Sequence, residues 1–416
     1  MGSARLVSIA LCLVVLTSMA VAQEPDQISP ASLAGVKGTS AVVTPHAKLN
    51  GGAHARQGVP NIDSLVNFNG HFTAPGFDRF GNPNTHWYFN TVGNPPQMHG
   101  TTTVNAPVVP VSLDLRDADG NPRFINGQPL LSDVTSFIQP TLDSPVFSNA
   151  SYSSSPVPTQ FSDAIQRAEF FGKAKADWHT LLGPSLKAGR TIVINQSADP
   201  ASPAYEFALN GDGTCCLFVL IDIRVFENAL FNTVVDTIIS GDVTTKDMST
   251  YLFPNAYLFE IVNGKFECCV LGFHSYIFDD VSPTLESRWV FDYASWITPG
   301  LFRGGLSDVS AFSHEIAESY NDPFVASDNV HDVTPWWLSP NGNCQDTLET
   351  GDVIENLPDG LFPVTINNFT YHPQNEALLQ WFEFMVPSDA IDGAYSYPNE
   401  SVLAGPSAFQ KPHCTP

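Results

Sequence analysis

The apolar positions in the second half of the chain predict several buried strands and one long buried helix. The continuous apolar run 216–225 predicts a strand, and residues 226–239 then repeat Phe, Leu, Val and Ile at helical spacing. Residues 256–262 and 267–274 predict two more strands, and the Asn-Gly pair between them is typical of a tight hairpin turn.

Shorter patterns predict further elements on both sides of this region. Residues 101–115 are β-branched and predict a strand, whose prolines indicate a sheet edge or a bulge. Residues 162–172 predict a helix, and residues 191–195 and 288–293 predict strands.

A predicted helix around residue 314 carries the clearest chemistry in the chain. Ser307 or Asp308 is suited to cap its first turn, and the proline of Asn321-Asp-Pro323 ends it. Apolar residues recur along it at helical spacing, namely Val309, Phe312, Ile316 and Tyr320.

His314 and Glu318 lie four residues apart on this helix, so both side chains project from one face. The segment matches the zinc-hydrolase pattern H-E-x-x-H with its second histidine replaced by glutamate, and zinc accepts both ligand types. Glu315 flanks the metal position and is the candidate general base. The alternative is an amphipathic helix whose polar face carries these residues by chance.

A catalytic zinc normally takes three protein ligands and leaves one position to water. Glu349 and Asp352 flank Gly351, and a glycine permits the sharp turn that would direct one carboxylate at the helix. The downstream candidates for the third ligand are His331, Glu349, Asp352, Glu355 and His372.

The N-terminus is typical of a secretory signal peptide at residues 1–22, where Arg5 precedes an apolar run and small residues suit cleavage. Without Arg5, 17 of the 18 basic residues remain against 42 acidic ones. Nucleic acids and anionic membranes bind basic patches, so the charge argues against both as partners. We expect a secreted protein, extracellular or periplasmic, with no integral membrane segment after cleavage and a protein or peptide as substrate.

Six cysteines remain beyond the signal peptide, and in an exported chain they predict disulfides. Two adjacent pairs, Cys215-Cys216 and Cys268-Cys269, fall at or within predicted strands. Because neighbouring strand residues point to opposite faces, we expect a bridge between one member of each pair. A four-thiolate metal site is the alternative.

Composition divides the mature chain into three regions. Residues 23–63 are rich in Ala, Gly, Ser and Pro and predict a disordered linker or propeptide. Residues 64–200 predict a β-rich N-terminal part of the fold, and residues 201–416 a zincin-like metal-binding domain. The expected fold class is α+β: a zincin-like mixed sheet with a backing helix and an HExxE active-site helix.

The run Phe312-Ser-His-Glu-Ile-Ala-Glu-Ser-Tyr-Asn-Asp-Pro323 and the later Leu348-Glu-Thr-Gly-Asp352 resemble a group of secreted bacterial proteins frequent in acidobacteria. These carry S-H-E-[IVL]-x-E-x-x-x-[ND]-P and then E-x-G-D, and residues 371–382 are similar to a tract near their C-terminal end. The plant phosphate-induced (exordium) proteins are similar in having H-E-L-A-E and then E-x-G-D. The resemblance implies a zincin-like fold with zinc held by His314, Glu318 and an acid. We place that acid at Glu349, with Asp352 as the alternative.

Three functions fit these observations. The first is a secreted zinc-dependent hydrolase, a metalloendopeptidase with Glu315 as general base and Tyr371, His372 or His331 as oxyanion donor. The second is a non-catalytic extracellular binding or surface protein on a zincin-like scaffold. The third is a carbohydrate-active hydrolase that uses paired carboxylates.

Overall fold

A computed structural model describes residues 26–33, 36, 38–40, 46–47, 61–78, 80–282, 284–325 and 333–406. The predicted signal peptide and the candidate ligand His331 lie outside these residues. Within the described ranges, no helix combines the length and the apolar character that crossing a membrane requires.

The described chain contains five α-helices and 23 β-strands. The helices are α1 (Thr135–Leu142), α2 (Phe161–Glu169), α3 (Ile223–Ile239), α4 (Ser310–Asn321) and α5 (Leu379–Phe382), with 3-10 turns at Pro30–Leu33, Arg303–Gly305 and Ile391–Gly393. The strands are β1 (Thr39–Ser40), β2 (His46–Ala47), β3 (Asn61–Asp63), β4 (Asn67–Phe77), β5 (Pro83–Val92), β6 (Thr101–Arg116), β7 (Phe124–Ile125), β8 (Gln128–Pro129), β9 (Leu131–Ser132), β10 (His179–Leu186), β11 (Arg190–Asn195), β12 (Tyr205–Leu209), β13 (Cys215–Asp222), β14 (Met248–Pro254), β15 (Ala256–Val262), β16 (Lys265–Ser282), β17 (Leu285–Trp296), β18 (Trp337–Leu338), β19 (Cys344–Gln345), β20 (Val364–Ile366), β21 (Phe369–Tyr371), β22 (Glu376–Ala377) and β23 (Ser396–Tyr397).

One mixed sheet of 13 strands organises the described part of the molecule. Its central order is β10-β6-β14-β17-β16-β15-β13-β12, and β1, β2, β3, β9 and β11 pair alongside. β6 is parallel to β10, β11 and β14, whereas β16 is antiparallel to β15 and β17. The N-terminal and C-terminal parts of the chain therefore share a single sheet.

Alternate positions of β16 and β17 serve two cores on opposite faces of the sheet. Odd-numbered residues such as Phe273 and Phe291 pack in one core with Phe226 of α3. Even-numbered residues such as Tyr276 and Val290 pack in a second core that includes the apolar side of α4. The sheet thus separates α3 from α4.

The expectation of an α+β, zincin-like fold is wrong. The described residues are 40% strand and 18% helix, and one large mixed sheet dominates them. The apolar patterns identified the strand centres but underestimated their extent, because β16 continues through Ser282 and β17 through Trp296. In addition, β6, β10 and β11 from the N-terminal part join the same sheet.

The N-termini of helices α3 and α4 differ from the prediction. Residues 223–225 open α3 instead of continuing a strand, because Asp222 accepts hydrogen bonds from two amides of the first helical turn. Neither Ser307 nor Asp308 caps α4, which Val309 precedes without a side-chain cap.

Strand β6 is interior to the sheet, although its prolines suggested an edge or a bulge. Its neighbour on one side changes from β10 to β11 between Val108 and Val111. Pro110, which has no N–H to donate, lies at this change, so the proline removes no regular ladder bond there.

The predicted disulfide between the two cysteine pairs is wrong. Cys215 bonds to Cys216, and Cys268 bonds to Cys269. The prediction assumed regular strands, but the register shifts where Leu209 meets Cys215 and again where Phe259 meets Cys268. Neither pair therefore follows the strict alternation of faces, and neither offers free thiolates for a metal site.

Candidate metal centre

Every residue of α4 is buried. The helix packs against β16 and β17 and is also in contact with α2 and β5. Its polar residues His314, Glu315 and Glu318 are consequently almost completely shielded from bulk water. Burying an ionised group is costly unless the group is paired, so the partners of these three side chains decide what the helix does.

Strand β16 brings a second histidine to the helix. Nδ1 of His274 lies 3.4 Å from Oε2 of Glu318, 3.6 Å from Oε2 of Glu315 and 3.7 Å from Oε2 of Glu349. Gly272 lies on the same face of the strand, and a Cβ there would come within 2.5 Å of Oε1 of Glu315. The glycine allows the helix to approach the strand closely enough for these contacts.

Sequence analysis missed His274. The available signal was a polar residue within a buried apolar strand, two positions from a glycine and therefore on the same face as it. The H-E-x-x-E pattern had directed the search for ligands downstream of the helix only.

His314 faces two acids through its Nε2 atom. Nε2 lies 3.2 Å from Oε2 of Glu318 and 3.6 Å from Oδ1 of Asp352. Nδ1 lies 2.8 Å from the amide nitrogen of Gln374, which fixes the orientation of the ring. Gly351 packs on the imidazole so closely that a Cβ would overlap it. Position 351 therefore needs a glycine because its backbone lies so close to the His314 ring, and not because of a positive φ.

Glu318 connects the two histidines. Its Oε1 accepts hydrogen bonds from the backbone N–H of Gly351 at 3.0 Å and of Asp352 at 3.3 Å, leaving Oε2 to face both imidazoles. Burial opposes ionisation of Glu318, but the charges of His314 and His274 beside its Oε2 hold its pKa well below the usual range.

The surrounding groups favour a protonated cluster when no cation is bound. Burial raises the pKa of Glu349 and of Asp352 well above the ordinary carboxyl value. Burial by itself would lower the pKa of His274 and His314, yet the neighbouring carboxylates raise both. The protons held in this way are those that a metal ion displaces when it binds such ligands.

The cluster has the donor atoms that a metal ion requires. Three groups of residues each place their ligand atoms within 4.8 Å of one another. These groups are His274 with Glu315 and Glu318, His274 with Asp322 and Glu349, and His314 with Glu318 and Asp352. Among the described residues, buried side-chain atoms without a hydrogen-bond partner include His274 Nε2, His314 Nε2, Glu318 Oε2, Glu349 Oε1 and Asp352 Oδ1. Imidazole nitrogen and carboxylate oxygen are zinc ligands, so these residues fit such an ion.

The structure brings the predicted residues His314, Glu315, Glu318, Glu349 and Asp352 into one buried cluster. Within it Asp352 lies beside His314, and Glu349 lies beside His274. Two of the three proposed oxyanion donors are engaged elsewhere, because Nδ1 of His372 contacts Asp308 at 2.8 Å and the Tyr371 hydroxyl donates to the Pro140 carbonyl. The third, His331, lies outside the described residues.

A cavity of about 20 Å³ adjoins Glu315 and is also lined by Gly38, Thr39, Gly272 and His314. This volume admits roughly one water molecule. A larger cavity of about 480 Å³ lies against Arg123 and Asp26, whose charges already pair with each other, and none of the clustered residues lines it.

Comparisons of the chain with protein-family models, with curated proteins and with solved structures find no match. The resemblance to the acidobacterial and exordium proteins therefore stays an expectation, and function has to be argued from the geometry of the cluster.

Proposed function

We propose that the protein is a secreted, zinc-dependent hydrolase that acts as a metalloendopeptidase. The observation that carries this proposal is the burial of two imidazoles and four carboxylates within ion-pair distance of one another. A set of acids this dense, removed from water, needs protons or a cation for compensation.

His314, Glu318 and Asp352 would hold the ion, because their ligand atoms form one close set on the helix and the following turn. His274 on β16 forms a neighbouring set with Asp322 and Glu349. Bound zinc supplies Lewis-acid polarisation of a substrate carbonyl and lowers the pKa of water toward neutrality.

Glu315 is the proton carrier in this proposal. Its Oε1 faces Gly272, at the cavity that admits a water molecule, while its Oε2 lies 3.6 Å from His274. Burial raises the pKa of Glu315 above the ordinary carboxyl value. Glu315 accepts the water proton at Oε1 and later releases it to the leaving amine.

A non-catalytic role is the second candidate, and the size of the cavity favours it. A space of about 20 Å³ admits a water molecule but no substrate side chain. In that role the ion would only link α4 to the turn at Gly351.

Two acid-to-amide variants separate the candidates. Glu315→Gln should retain zinc and lose about 10²- to 10⁴-fold in peptide hydrolysis, because it removes the base and spares the ligands. Glu260→Gln is the matched control, since Glu260 is exposed on β15. Zinc content and turnover of a peptide library are measured for both. Absence of hydrolysis in the zinc-loaded wild type would contradict the enzymatic proposal and support the structural one.

A further inference from the structure

One edge of strand β16 is shared by two neighbouring strands of the sheet. β15 pairs with this edge as far as Val270, and β17 pairs with it from Gly272 to Ser282. The opposite edge is occupied by two short parallel strands from the N-terminal region: β1 pairs at Val270 and Gly272, and β2 pairs at Ile277 and Phe278. The chain thus covers its own sheet edge with a separate segment.

Residues 38–40 are seated closely on this edge. The Gly38 carbonyl accepts a hydrogen bond from Asn356 Nδ2 at 2.7 Å, and the Thr39 hydroxyl donates to the Cys269 carbonyl at 3.3 Å. A Cβ at position 38 would overlap Leu271 and lie 2.8 Å from Leu306. The surface formed by Leu271 and Leu306, which we call the seat, therefore accepts an extended backbone with a glycine at position 38.

The seated segment lies directly beside the candidate metal centre. Gly38 and Thr39 line the same cavity as Glu315 and His314. Gly272, which pairs with Ser40, is the residue against which Glu315 packs. Any extended peptide bound on this edge would place its backbone next to the proposed general base.

We propose that the edge of β16 opposite β15 and β17 is the binding site for an extended peptide substrate, and that residues 38–40 and β2 occupy it as an internal pro-segment. Main-chain pairing supplies the affinity, and the seat selects a glycine. This arrangement accounts for a hydrolytic site whose cavity holds only a water molecule. The hydrolytic part rests on the proposed function, whereas peptide binding at the edge does not.

The test uses the full mature chain and a fluorescent synthetic peptide with the sequence of residues 36–47. Gly38→Val should expel the segment from its seat, because the added side chain would overlap Leu271. Gly405→Val is the control, since no atom lies within 4 Å of a Cβ there. Fluorescence anisotropy should show that Gly38→Val binds the peptide at least about tenfold more tightly than wild type or control, because its site is no longer occupied.

Specificity and folding are tested in the same experiment. A peptide with valine at the Gly38 position should not bind to any of the proteins. If Gly38→Val does not fold, as judged by circular dichroism, Asn356→Gly replaces it. That change keeps the left-handed backbone at position 356 and removes the donor to Gly38, so peptide binding should again exceed that of wild type.

Equal peptide affinity in wild type, control and loosened variant would overturn the proposed edge site, whatever the hydrolytic activity. Peptide binding by the loosened variant without hydrolysis by any zinc-loaded protein would support the edge site and contradict the hydrolase proposal. Faster hydrolysis by the loosened variant than by wild type would support both.

Discussion

Helices α3 and α4 pack on opposite faces of the same sheet but bury very different surfaces. α3 buries one side, including Phe226 and Leu230, and leaves residues such as Asn228 and Asp236 in water. α4 buries all of its 12 residues. A polar side chain on α3 can therefore hydrogen-bond to solvent, whereas one on α4 depends on the partners that the fold provides.

Some polar side chains of α4 have a hydrogen-bond partner outside the acidic cluster, and others belong to the cluster itself. Ser319 donates to Asp292 at 2.6 Å, and Asn321 donates to Glu169 at 2.9 Å. His314 and Glu318 instead share their partners with the rest of the acidic cluster. The comparison teaches that complete burial makes every polar side chain of a helix dependent on a partner from the fold, a requirement that the sequence motif does not show.

The largest expected effect on stability belongs to α3. Phe226→Ala should lower the free energy of unfolding by about 3–5 kcal/mol, because the ring is fully buried against Phe253 and Tyr293. Zinc content should not change. Urea denaturation and elemental analysis check both outcomes, with Asn232→Ala on the exposed side of α3 as the control. Loss of zinc in the folded Phe226 variant would show that the two faces of the sheet are not independent.

A second prediction concerns a buried acid beside α4 that needs no cation. Burial raises the pKa of Glu169 to about 8 in the folded state. Between the ordinary carboxyl pKa and this raised pKa, the folded state keeps a proton that the unfolded state has released. Stability contributed by this group should therefore fall, by about 3–4 kcal/mol, as pH rises from 5 to 8. Glu169→Gln should remove that part of the slope in unfolding free energy against pH. Parallel curves for wild type and variant would contradict the prediction.

The smallest effect separates the two acids of the Glu-x-Gly-Asp turn. Asp352 lies 3.6 Å from Nε2 of His314, whereas Glu349 faces His274. Asp352→Asn should therefore weaken zinc affinity more than Glu349→Gln does. We expect Glu349→Gln to weaken zinc affinity roughly tenfold, because Glu349 would orient a ligand without binding the ion itself. Competition with a chromogenic chelator measures both affinities. The reverse order would restore Glu349 as the third ligand, as the sequence analysis had placed it.

Local pattern predicted much of the sheet but not its extent. The Asn-Gly turn does join β15 to β16, and the apolar helix after β13 is α3. The pairing of β6 with β14 depends on contacts between distant parts of the chain, which periodicity does not encode. The cysteine pairs were misassigned because register shifts at Cys215 and Cys268 leave no trace in the apolar pattern.

The candidate site was predictable only along the chain segment that carries its motif. Spacing identified His314, Glu315 and Glu318, and the downstream acids followed from their position around Gly351. His274 comes from a strand with no motif of its own, and only its alignment with Gly272 under α4 brings it to the acids. Such convergence is a property of the packed sheet and helix.

Zinc binding by the purified mature protein tests the central claim most directly. Wild type and His99→Ala, a control at an exposed histidine, should each contain roughly one zinc per chain, whereas His314→Ala and Glu318→Ala should retain little or none. Elemental analysis after dialysis gives the answer, with circular dichroism to confirm folding. Equal zinc content in all four proteins would contradict the assignment of this buried cluster as a metal centre.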